Sequence, residues 1–252
     1  MQMPSVAEPD AAQPPSPSVM LARVRTALAA AGDPARAAGQ QAYMKSAMPY
    51  HGVATPQQRA IFREVFADAP LASAAAWRDA VLHLWRNAEH REERYAAIWL
   101  TGERRSARFQ AMDALPMYEE MIVTGAWWDY VDEIATHRLP ILLRRHPAEM
   151  RRAMLAWSRG DDLWKRRSAI LCQLPLKGET DLELLMECIA PSIGSREFFL
   201  RKAIGWALRQ YARTDAAWVE RYVREHAAEL SPLSKREALK AQLKRGEIDA
   251  VP

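Results

Sequence analysis

Apolar residues recur at a helical period along almost the whole chain, and this pattern constrains the fold more than any other feature of the sequence. Runs of β-branched residues that alternate with polar ones, which are typical of strands, are almost absent, and glycine accounts for only 10 of the 252 residues. Short breaks marked by Pro and Gly separate the helical segments. The sequence therefore predicts an all-α protein of roughly a dozen helices of about three to four turns, with connections that allow only antiparallel packing.

The ends of the chain differ in composition from its middle. Residues 1–17 are rich in Pro, Ala and Ser and have no apolar periodicity, so they are predicted to form a disordered N-terminal tail. Hydrophobic residues make up 49% of the chain as a whole, which is enough to build a large core at this length. We predict a single domain over residues 18–246 and a C-terminal tail over residues 247–252.

Polar residues stand at several expected helix starts. Asp33, Thr55 and Asp161 occupy positions where a side chain can accept a hydrogen bond from the free N–H groups of a helix. Pro34 and Pro56 follow two of them at the first helical position, where the N–H that proline lacks has no partner to lose. These residues predict a helix start at each of the three positions.

An internal repeat is visible in three helical segments that share a pattern centred on Ala97, Ala169 and Ala203. The first two alanines are two repeats apart and the last two are one repeat apart, for a repeat of about 34–36 residues, which is the size of a HEAT or TPR helix pair. Equivalent positions of such repeats line one surface, which the curvature of the stack makes concave. The pattern favours a helical repeat architecture.

The same register extends to polar residues. Asp132 falls at the position that Ser168 and Lys202 occupy in the later repeats, and Arg167 lies one position away. Because equivalent positions line one surface, we expect Asp132 and Lys202 to face the same groove.

The segment around Trp128 carries the clearest chemical signal. In a helix, Trp128 and Asp132 lie one turn apart on a single face. An indole face attracts a cation by roughly 0.5–2 kcal/mol, and a nearby carboxylate stabilises positive charge directly, so the pair suits a cationic ligand. Ordinary helix architecture explains the pair as well, with a tryptophan in the core and a carboxylate near a helix start.

Basic residues are concentrated in one stretch of the chain. There are 35 Lys and Arg against 31 Asp and Glu, a net charge of +4, but residues 138–167 hold nine basic residues and three acidic ones. Such a stretch fits a surface that faces a polyanion, and it fits a solvated helix face as well. The pattern alone leaves both interpretations open.

Several enzyme classes lack their usual signatures in this sequence. It has no GxGxxG, GxxxxGK[ST], HExxH or GxSxG motif, which are typical of dinucleotide enzymes, P-loop NTPases, zincins and α/β-hydrolases. The six histidines show no metal-ligand spacing and are interpreted as surface or capping residues. Cys172 and Cys188 lie in apolar stretches outside any CxxC motif. We therefore predict a cytoplasmic protein with reduced thiols, no metal, no cofactor and no membrane segment.

Four motifs follow one another in a specific order. They are Ala42-Tyr43-Met44-Lys45 with Pro49 and Gly52-Val53; Trp127-Trp128-Asp129 with Val131-Asp132; Trp164 to Leu171, followed by Phe198-Phe199 and Lys202 to Arg209; and Leu233 to Ala238. This set resembles the bacterial DNA alkylation repair family, the AlkD-type DNA glycosylases, over about residues 20–242. The segment Tyr50-His51-Gly52 departs from the family pattern, because an apolar or aromatic residue more often precedes the glycine.

The resemblance implies a right-handed solenoid of HEAT-like antiparallel helix pairs whose concave groove binds double-stranded DNA. It implies base excision repair by a monomer that hydrolyses the N-glycosidic bond of cationic N3- and N7-alkylated purines, such as 3-methyladenine and 7-methylguanine. The product is an abasic site, base flipping is not required, and bulky adducts are tolerated. The family's catalytic aspartate and arginine fall on Asp132 and Arg167, and its two aromatic walls fall on Trp128 and Trp206.

The chemistry of these residues agrees with those roles. Cleavage of the glycosidic bond moves the positive charge of the purine to the deoxyribose as an oxocarbenium-like species. Asp132 is expected to stabilise that cation and orient water, and Arg167 is expected to lower the pKa of Asp132 and to bind a phosphate. The candidates for DNA contacts are Tyr43, Lys45, Arg166, Lys202, Arg209, Lys235 and Arg236. The alternative function is a catalytically silent HEAT-like module that binds a DNA structure or a protein.

Overall fold

The computed structural model describes residues 15–69, 71–248 and 250–251, which form two compact units, residues 1–100 and 101–252. The predicted N-terminal tail lies outside the described residues up to position 14. The tail was predicted to extend to residue 17, whereas α1 already begins at Pro17. The side chain of Ser16 accepts a hydrogen bond from the N–H of Val19 and so caps this helix. The extent of the predicted single domain stays a prediction.

The described residues of unit 1 form four complete helices and most of a fifth, which ends two residues beyond the unit. They are α1 (Pro17–Ala30), α2 (Pro34–Met44), α3 (Thr55–Val65), α4 (Ala74–Arg86) and α5 (Arg91–Gly102). Helix α1 packs against α3 and α4. Trp77 and Trp85 of α4 are fully buried, so their large apolar surfaces form much of the core of this unit.

Unit 2 contains the remaining helices. They are α6 (Leu115–Gly125), α7 (Trp128–His137), α8 (Leu139–Arg145), α9 (Pro147–Arg159), α10 (Leu163–Leu171), α11 (Leu182–Ile189), α12 (Phe198–Tyr211), α13 (Ala216–Glu225), α14 (Pro232–Ala238) and α15 (Lys240–Arg245). Helix α10 packs between α7 and α12, and α12 packs closely on α14. The predicted C-terminal tail follows the end of α15, and residues 249 and 252 lie outside the described residues.

The prediction of an all-α fold is confirmed, because the described residues form helices and no strand. Fifteen α-helices of 6 to 14 residues occur there, which is more than the expected dozen, and several of them are shorter than three turns. The difference arises where one helix follows another without a loop. Arg138 both ends α7 and precedes α8, whose second residue, Pro140, lacks the N–H that a continuous helix needs. Within the described residues, no helix combines the length and hydropathy that a membrane span requires.

The predicted helix starts are confirmed at one position and shifted at another. Asp33 accepts hydrogen bonds from the N–H groups of Ala35 and Arg36, and Pro34 is the first residue of α2. Thr55, in contrast, is itself the first residue of α3, so Pro56 takes the second position and the preceding residue caps without a side-chain bond. A polar residue followed by proline therefore locates a helix start only to within one residue.

The third predicted cap, Asp161, is wrong by one residue. Asp162 accepts hydrogen bonds from the N–H groups of Trp164 and Lys165 and caps α10. Asp161 is exposed in the turn that follows Gly160, where its side chain does not reach those N–H groups. Two adjacent aspartates are equally good caps by type, so residue type does not decide between them.

Candidate active site

A sharp turn sets the position of Trp128. Ala126 ends α6 in the left-handed conformation, with φ of 42°, and the chain then enters α7 at Trp128, one turn before Asp132. The preceding Trp127 points into the unit, with its ring centroid 5.5 Å from that of Phe199. Both tryptophans are half-buried, and Trp128, for which a place in the core was the alternative interpretation, lies at the edge of a cavity.

Asp132 and Arg167 form a two-pronged ion pair between α7 and α10. Nε of Arg167 donates to Oδ1 of Asp132 at 2.7 Å, and a second guanidinium nitrogen donates to Oδ2 at 2.8 Å. The third guanidinium nitrogen donates to the carbonyl oxygen of Phe199 at 2.6 Å. The side chains of Arg167 and Asp132 are only 5% and 16% exposed. A planar guanidinium with all three nitrogens engaged holds the carboxylate in one orientation.

The electrostatic state of Asp132 corrects the prediction for its pKa. Burial raises the pKa of Asp132 above its ordinary value. The hydrogen bonds and charge of Arg167 lower it, and the neighbouring Asp129 raises it further, so the net direction is upward. Arg167 therefore does not bring the pKa of Asp132 below normal, because one arginine does not replace all the water that the carboxylate loses.

All four predicted catalytic residues line one cavity of about 290 Å³ in unit 2. Trp128 and Asp132 reach it from α7, Arg167 from α10 and Trp206 from α12. Each carboxylate oxygen of Asp132 has a second lone pair besides the one that Arg167 occupies. The cavity thus presents a partly satisfied carboxylate together with two indole rings, which can accommodate a large organic cation.

The structure also corrects the register of the repeat. Asp132, Arg167 and Lys202 line the cavity together, whereas Ser168 is fully buried. Arg167 and not Ser168 is therefore the counterpart of Asp132 on α10. The expectation that Asp132 and Lys202 face the same groove agrees with their shared cavity, and with Arg167 between them the three positions are evenly spaced along the chain.

Glu237 was not among the predicted site residues, but it forms ion pairs with two basic side chains at the same cavity. Its carboxylate lies 2.9 Å from Nζ of Lys202 and 2.7 Å from a guanidinium nitrogen of Arg209. Although burial opposes its ionisation, Lys202 and Arg209 lower the pKa of Glu237. Glu237 comes from α14, and its place in the last sequence motif was the only signal available, because spacing alone does not show which helix α14 will contact.

Gly205 allows this contact between α12 and α14. A Cβ atom at position 205 would lie 2.5 Å from Cβ of Glu237 and 2.8 Å from the carbonyl oxygen of Ser234. Both distances are shorter than real Cβ contacts, so glycine is required for this approach of the two helices. The aromatic residues Phe198 and Phe199 were likewise noted only as a motif, and both line the cavity.

The other predicted DNA contacts lie outside this cavity. Lys202 and Arg209 line it, but Arg166 bonds to the hydroxyl of Ser192, and Lys235 donates to the carbonyl of Ala227 at 3.0 Å. Arg236 is exposed. These three side chains are therefore not gathered around Asp132, and their contact with DNA stays a prediction.

Two predicted contacts, Tyr43 and Lys45, belong to unit 1. The side chain of Tyr43 is exposed near the end of α2. Lys45 ends that helix in the left-handed conformation, with φ of 49°, and is also exposed. Their exposure is compatible with a role in binding, which stays a prediction.

The basic stretch 138–167 is used largely for contacts between helices. Arg144 pairs with Glu179, and Lys165 pairs with Glu119. Arg151 contacts three carboxylates at the start of α11 and within it, at distances of 2.5–3.0 Å. A run of arginines therefore does not by itself identify a DNA surface, because ion pairs between neighbouring helices have the same sequence pattern.

A second cavity, of about 490 Å³, shares Trp128 and Trp206 with the first. Asp132 borders both cavities, and Asp129 and Glu133 line the second one. The carboxylate is therefore reached from an acidic space as well as from the space that holds Lys202 and Arg209.

The prediction that all six histidines are surface or capping residues is wrong for the histidines of one cluster. His51, His90 and Glu93 of unit 1 meet, with one possible metal-ligand atom from each within 4.8 Å of the others. The side chain of His51 is only 7% exposed. The sequence contains no local signal for this cluster, because the fold brings His51 to residues about forty positions later in the chain.

Comparisons with known proteins identify the family of this chain. The family model described as DNA alkylation repair enzyme matches residues 24–241. A solved structure titled as a predicted DNA alkylation repair enzyme from Enterococcus faecalis has a TM-score of 0.72 and 29% sequence identity, over 83% of this chain and 95% of that chain. No curated protein matches the chain. Because the family model covers most of its length, the chain belongs to the family of DNA alkylation repair enzymes.

Proposed function

We propose that this protein is a monofunctional DNA glycosylase that hydrolyses the N-glycosidic bond of cationic N3- and N7-alkylated purines in duplex DNA. Membership of the family supports a role in the repair of alkylated DNA, with DNA as the partner. The observation that carries the proposal is the buried Asp132–Arg167 pair at a cavity bordered by the indoles of Trp128 and Trp206.

The proposed chemistry follows from where positive charge lies during the reaction. Alkylation makes the purine cationic, and breaking its bond to C1′ transfers that charge to the sugar. Asp132 faces the sugar, stabilises the developing cation and accepts a hydrogen bond from the attacking water through a free lone pair. As the water oxygen bonds to C1′, its proton passes to the carboxylate and from there to solvent. Because the carboxylate is mostly buried and held by Arg167, it need not reorganise as the charge develops. The products are the neutral alkylated base and an abasic site, and no metal or cofactor takes part.

The aromatic and basic side chains bind the rest of the substrate. Trp128 and Trp206 pack their faces against the cationic nucleotide and its sugar. Lys202 and Arg209, which Glu237 holds at the cavity, contact the flanking phosphates. Binding of this kind discriminates a lesion by its charge and its weakened bond, so no deep pocket for a flipped base is needed.

The two adjoining cavities support tolerance of large lesions. An adduct at N7 can extend into either space, of about 290 Å³ and about 490 Å³, without displacing Asp132. We expect a bulky N7 adduct to be excised within about a hundredfold of the rate for 7-methylguanine, since the transition-state charge is the same. Absence of turnover with the bulky substrate, in a preparation active on 7-methylguanine, would contradict this.

The test is release of free 7-methylguanine from a methylated duplex in the presence of a chelator. Asp132→Asn should slow release by about 10² or more, because a preorganised group aimed at developing charge contributes roughly 3–4 kcal/mol. Asp161→Asn is the matched control, since Asp161 is an exposed aspartate of the same unit. Binding of duplex DNA without release by the wild type would favour the catalytically silent module. Release that Asp132→Asn leaves unchanged would show that the catalytic carboxylate lies elsewhere.

A further inference from the structure

A second cluster of potential ligands lies in unit 1, outside the cavity described above. His51 belongs to the loop between α2 and α3, His90 directly precedes α5, and Glu93 lies in the first turn of α5. Neither the family match nor the proposed reaction assigns a role to these three side chains. The side chain of Glu93 is fully buried, and that of His51 almost so.

The spacing of the ligand atoms is close to that around a small metal ion. Oε1 of Glu93 lies 3.1 Å from Nε2 of His51 and 3.4 Å from Nδ1 of His90. A tetrahedral zinc ion with bonds of about 2.0–2.2 Å separates neighbouring ligand atoms by about 3.3–3.5 Å. Two of the three distances between the possible ligand atoms are thus already close to those around a zinc ion.

One nitrogen of the cluster has no hydrogen bond within the described residues. Nδ1 of His90 is buried and approaches Glu93 without the alignment of a hydrogen bond. The rings of His51 and His90 are stacked, with centroids 3.8 Å apart and planes inclined by 20°. The hydrogen bond between His51 and Glu93 engages one imidazole nitrogen, whereas Nδ1 of His90 stays available as a ligand atom.

The surroundings of Glu93 are those of an oriented metal ligand. Its other oxygen, Oε2, accepts hydrogen bonds from Arg25 at 3.1 Å and from the N–H of Glu89 at 2.8 Å. Nε of Arg25 also donates to Oε1, at 3.1 Å, and the carboxylate of Glu89 lies 3.2 Å from the guanidinium and offsets its charge. Glu92 fixes the loop by accepting the N–H of His51. Such outer contacts orient the ligands of known metal sites.

We propose that His51, His90 and Glu93 bind one divalent transition-metal ion of the Zn²⁺ class, with water as the fourth ligand. The metal replaces the proton between His51 and Glu93 and takes the lone pair of His90 Nδ1. His90 rotates out of the stack to bring the third distance into the same range, which its partial exposure permits. Two imidazoles and a carboxylate select Zn²⁺, Co²⁺ or Ni²⁺ over Mg²⁺ and Ca²⁺, which prefer oxygen ligands.

The bound ion links the loop after α2 to the start of α5. That loop begins beside Tyr43 and Lys45, the two exposed candidates for DNA contacts in unit 1. The site is therefore expected to rigidify this part of unit 1, and it contributes nothing to the chemistry at Asp132.

The experiment uses the full-length protein after removal of metals by a chelator. Titration with Zn²⁺ in a calorimeter should show one equivalent bound, with a rise in the melting temperature, and Co²⁺ should give the visible absorption of a four-coordinate nitrogen and oxygen site. His90→Gln should weaken Zn²⁺ binding by at least the roughly tenfold loss that removal of a second-shell partner causes. His137→Gln is the matched control, since His137 is an exposed histidine beside Glu133.

A second measurement keeps the test independent of how well the variant folds. In the wild-type protein, imidazole ¹⁵N resonances of two histidines should shift on addition of one equivalent of Zn²⁺, while base release stays unchanged. Folded wild-type protein that binds no stoichiometric Zn²⁺, or that binds it equally well as His90→Gln, would overturn the proposal. Magnesium bound in preference to Zn²⁺ would overturn it too.

Discussion

Glu93 of unit 1 and Asp132 of unit 2 are both buried carboxylates that one arginine holds through two hydrogen bonds, yet their pKa values move in opposite directions. Burial opposes ionisation of both. For Glu93, hydrogen bonds from His51, Arg25 and a backbone N–H outweigh it and bring the pKa to about 2. For Asp132, Arg167 acts alone, and the pKa stays above normal.

This difference shows that the groups around a carboxylate–arginine pair determine which kind of cation the carboxylate can bind. Asp132 keeps free lone pairs next to indole faces, which attract a large organic cation but cannot coordinate a metal. Glu93 faces two imidazoles, whose nitrogens are suitable ligands for a transition metal. The same carboxylate–arginine pair thus fits transient charge at one place and a fixed ion at the other.

The largest expected difference between the two ion pairs is in their contribution to the free energy of unfolding. Glu93→Gln, in metal-free protein, should lower the free energy of unfolding by roughly 2–3 kcal/mol, less than for a fully buried pair because Arg25 is one-third exposed. Chemical denaturation measures this, with Glu89→Gln as the control, since Glu89 is largely exposed. The folded Glu93→Gln protein should still release base at the wild-type rate. A loss of activity without a loss of stability would reverse the roles that we assign to the two carboxylates.

A smaller effect is expected when the arginine of the active pair is exchanged for lysine. Arg167→Lys retains the charge but loses the two parallel hydrogen bonds and the bond to Phe199, so base release should fall by about tenfold to thirtyfold. Single-turnover rates of 7-methylguanine release measure this. Arg144→Lys serves as the control, because Arg144 pairs with Glu179 away from the cavity. Equal losses for the two variants would mean that orientation of Asp132 is not the cause.

The smallest of these effects is a shift in the pH profile. Asp132 acts as a carboxylate, and its pKa is raised by burial, so activity is lost as pH falls through that raised value. The acid limb of kcat/KM should therefore lie at a higher pH than the ordinary aspartate pKa of about 3.9. Rates are corrected for uncatalysed depurination at each pH. An acid limb at or below the ordinary value would show that Arg167 outweighs burial.

Local features of the fold were predictable, whereas contacts between distant segments were not. The one-turn spacing of Trp128 and Asp132 and the cap at Asp33 depend on a few adjacent residues, so helical periodicity is enough to predict them. The choice between Asp161 and Asp162 does not follow from residue type, and no local pattern contains it. The family resemblance, and not the spacing, brought Arg167 into the predicted site.

The missed residues share a physical reason. Glu237 reaches the cavity only because α14 packs on α12, and His51 meets Glu93 only because a loop folds back onto α5. The direction of the pKa of Asp132 also depends on burial, which a pair of sequence positions does not specify. Charges that are far apart in the chain acquire their roles through tertiary packing.

The absence of a side chain at Gly205 has a consequence for how this protein can vary. Because residue 205 has no Cβ atom, α12 and α14 can approach each other closely. This approach sets the spacing of the Lys202 and Arg209 charges around Glu237. Changes at the lining side chains alter what the cavity recognises. A methyl group at position 205 would instead push α14 away from α12 and so alter the dimensions of the cavity.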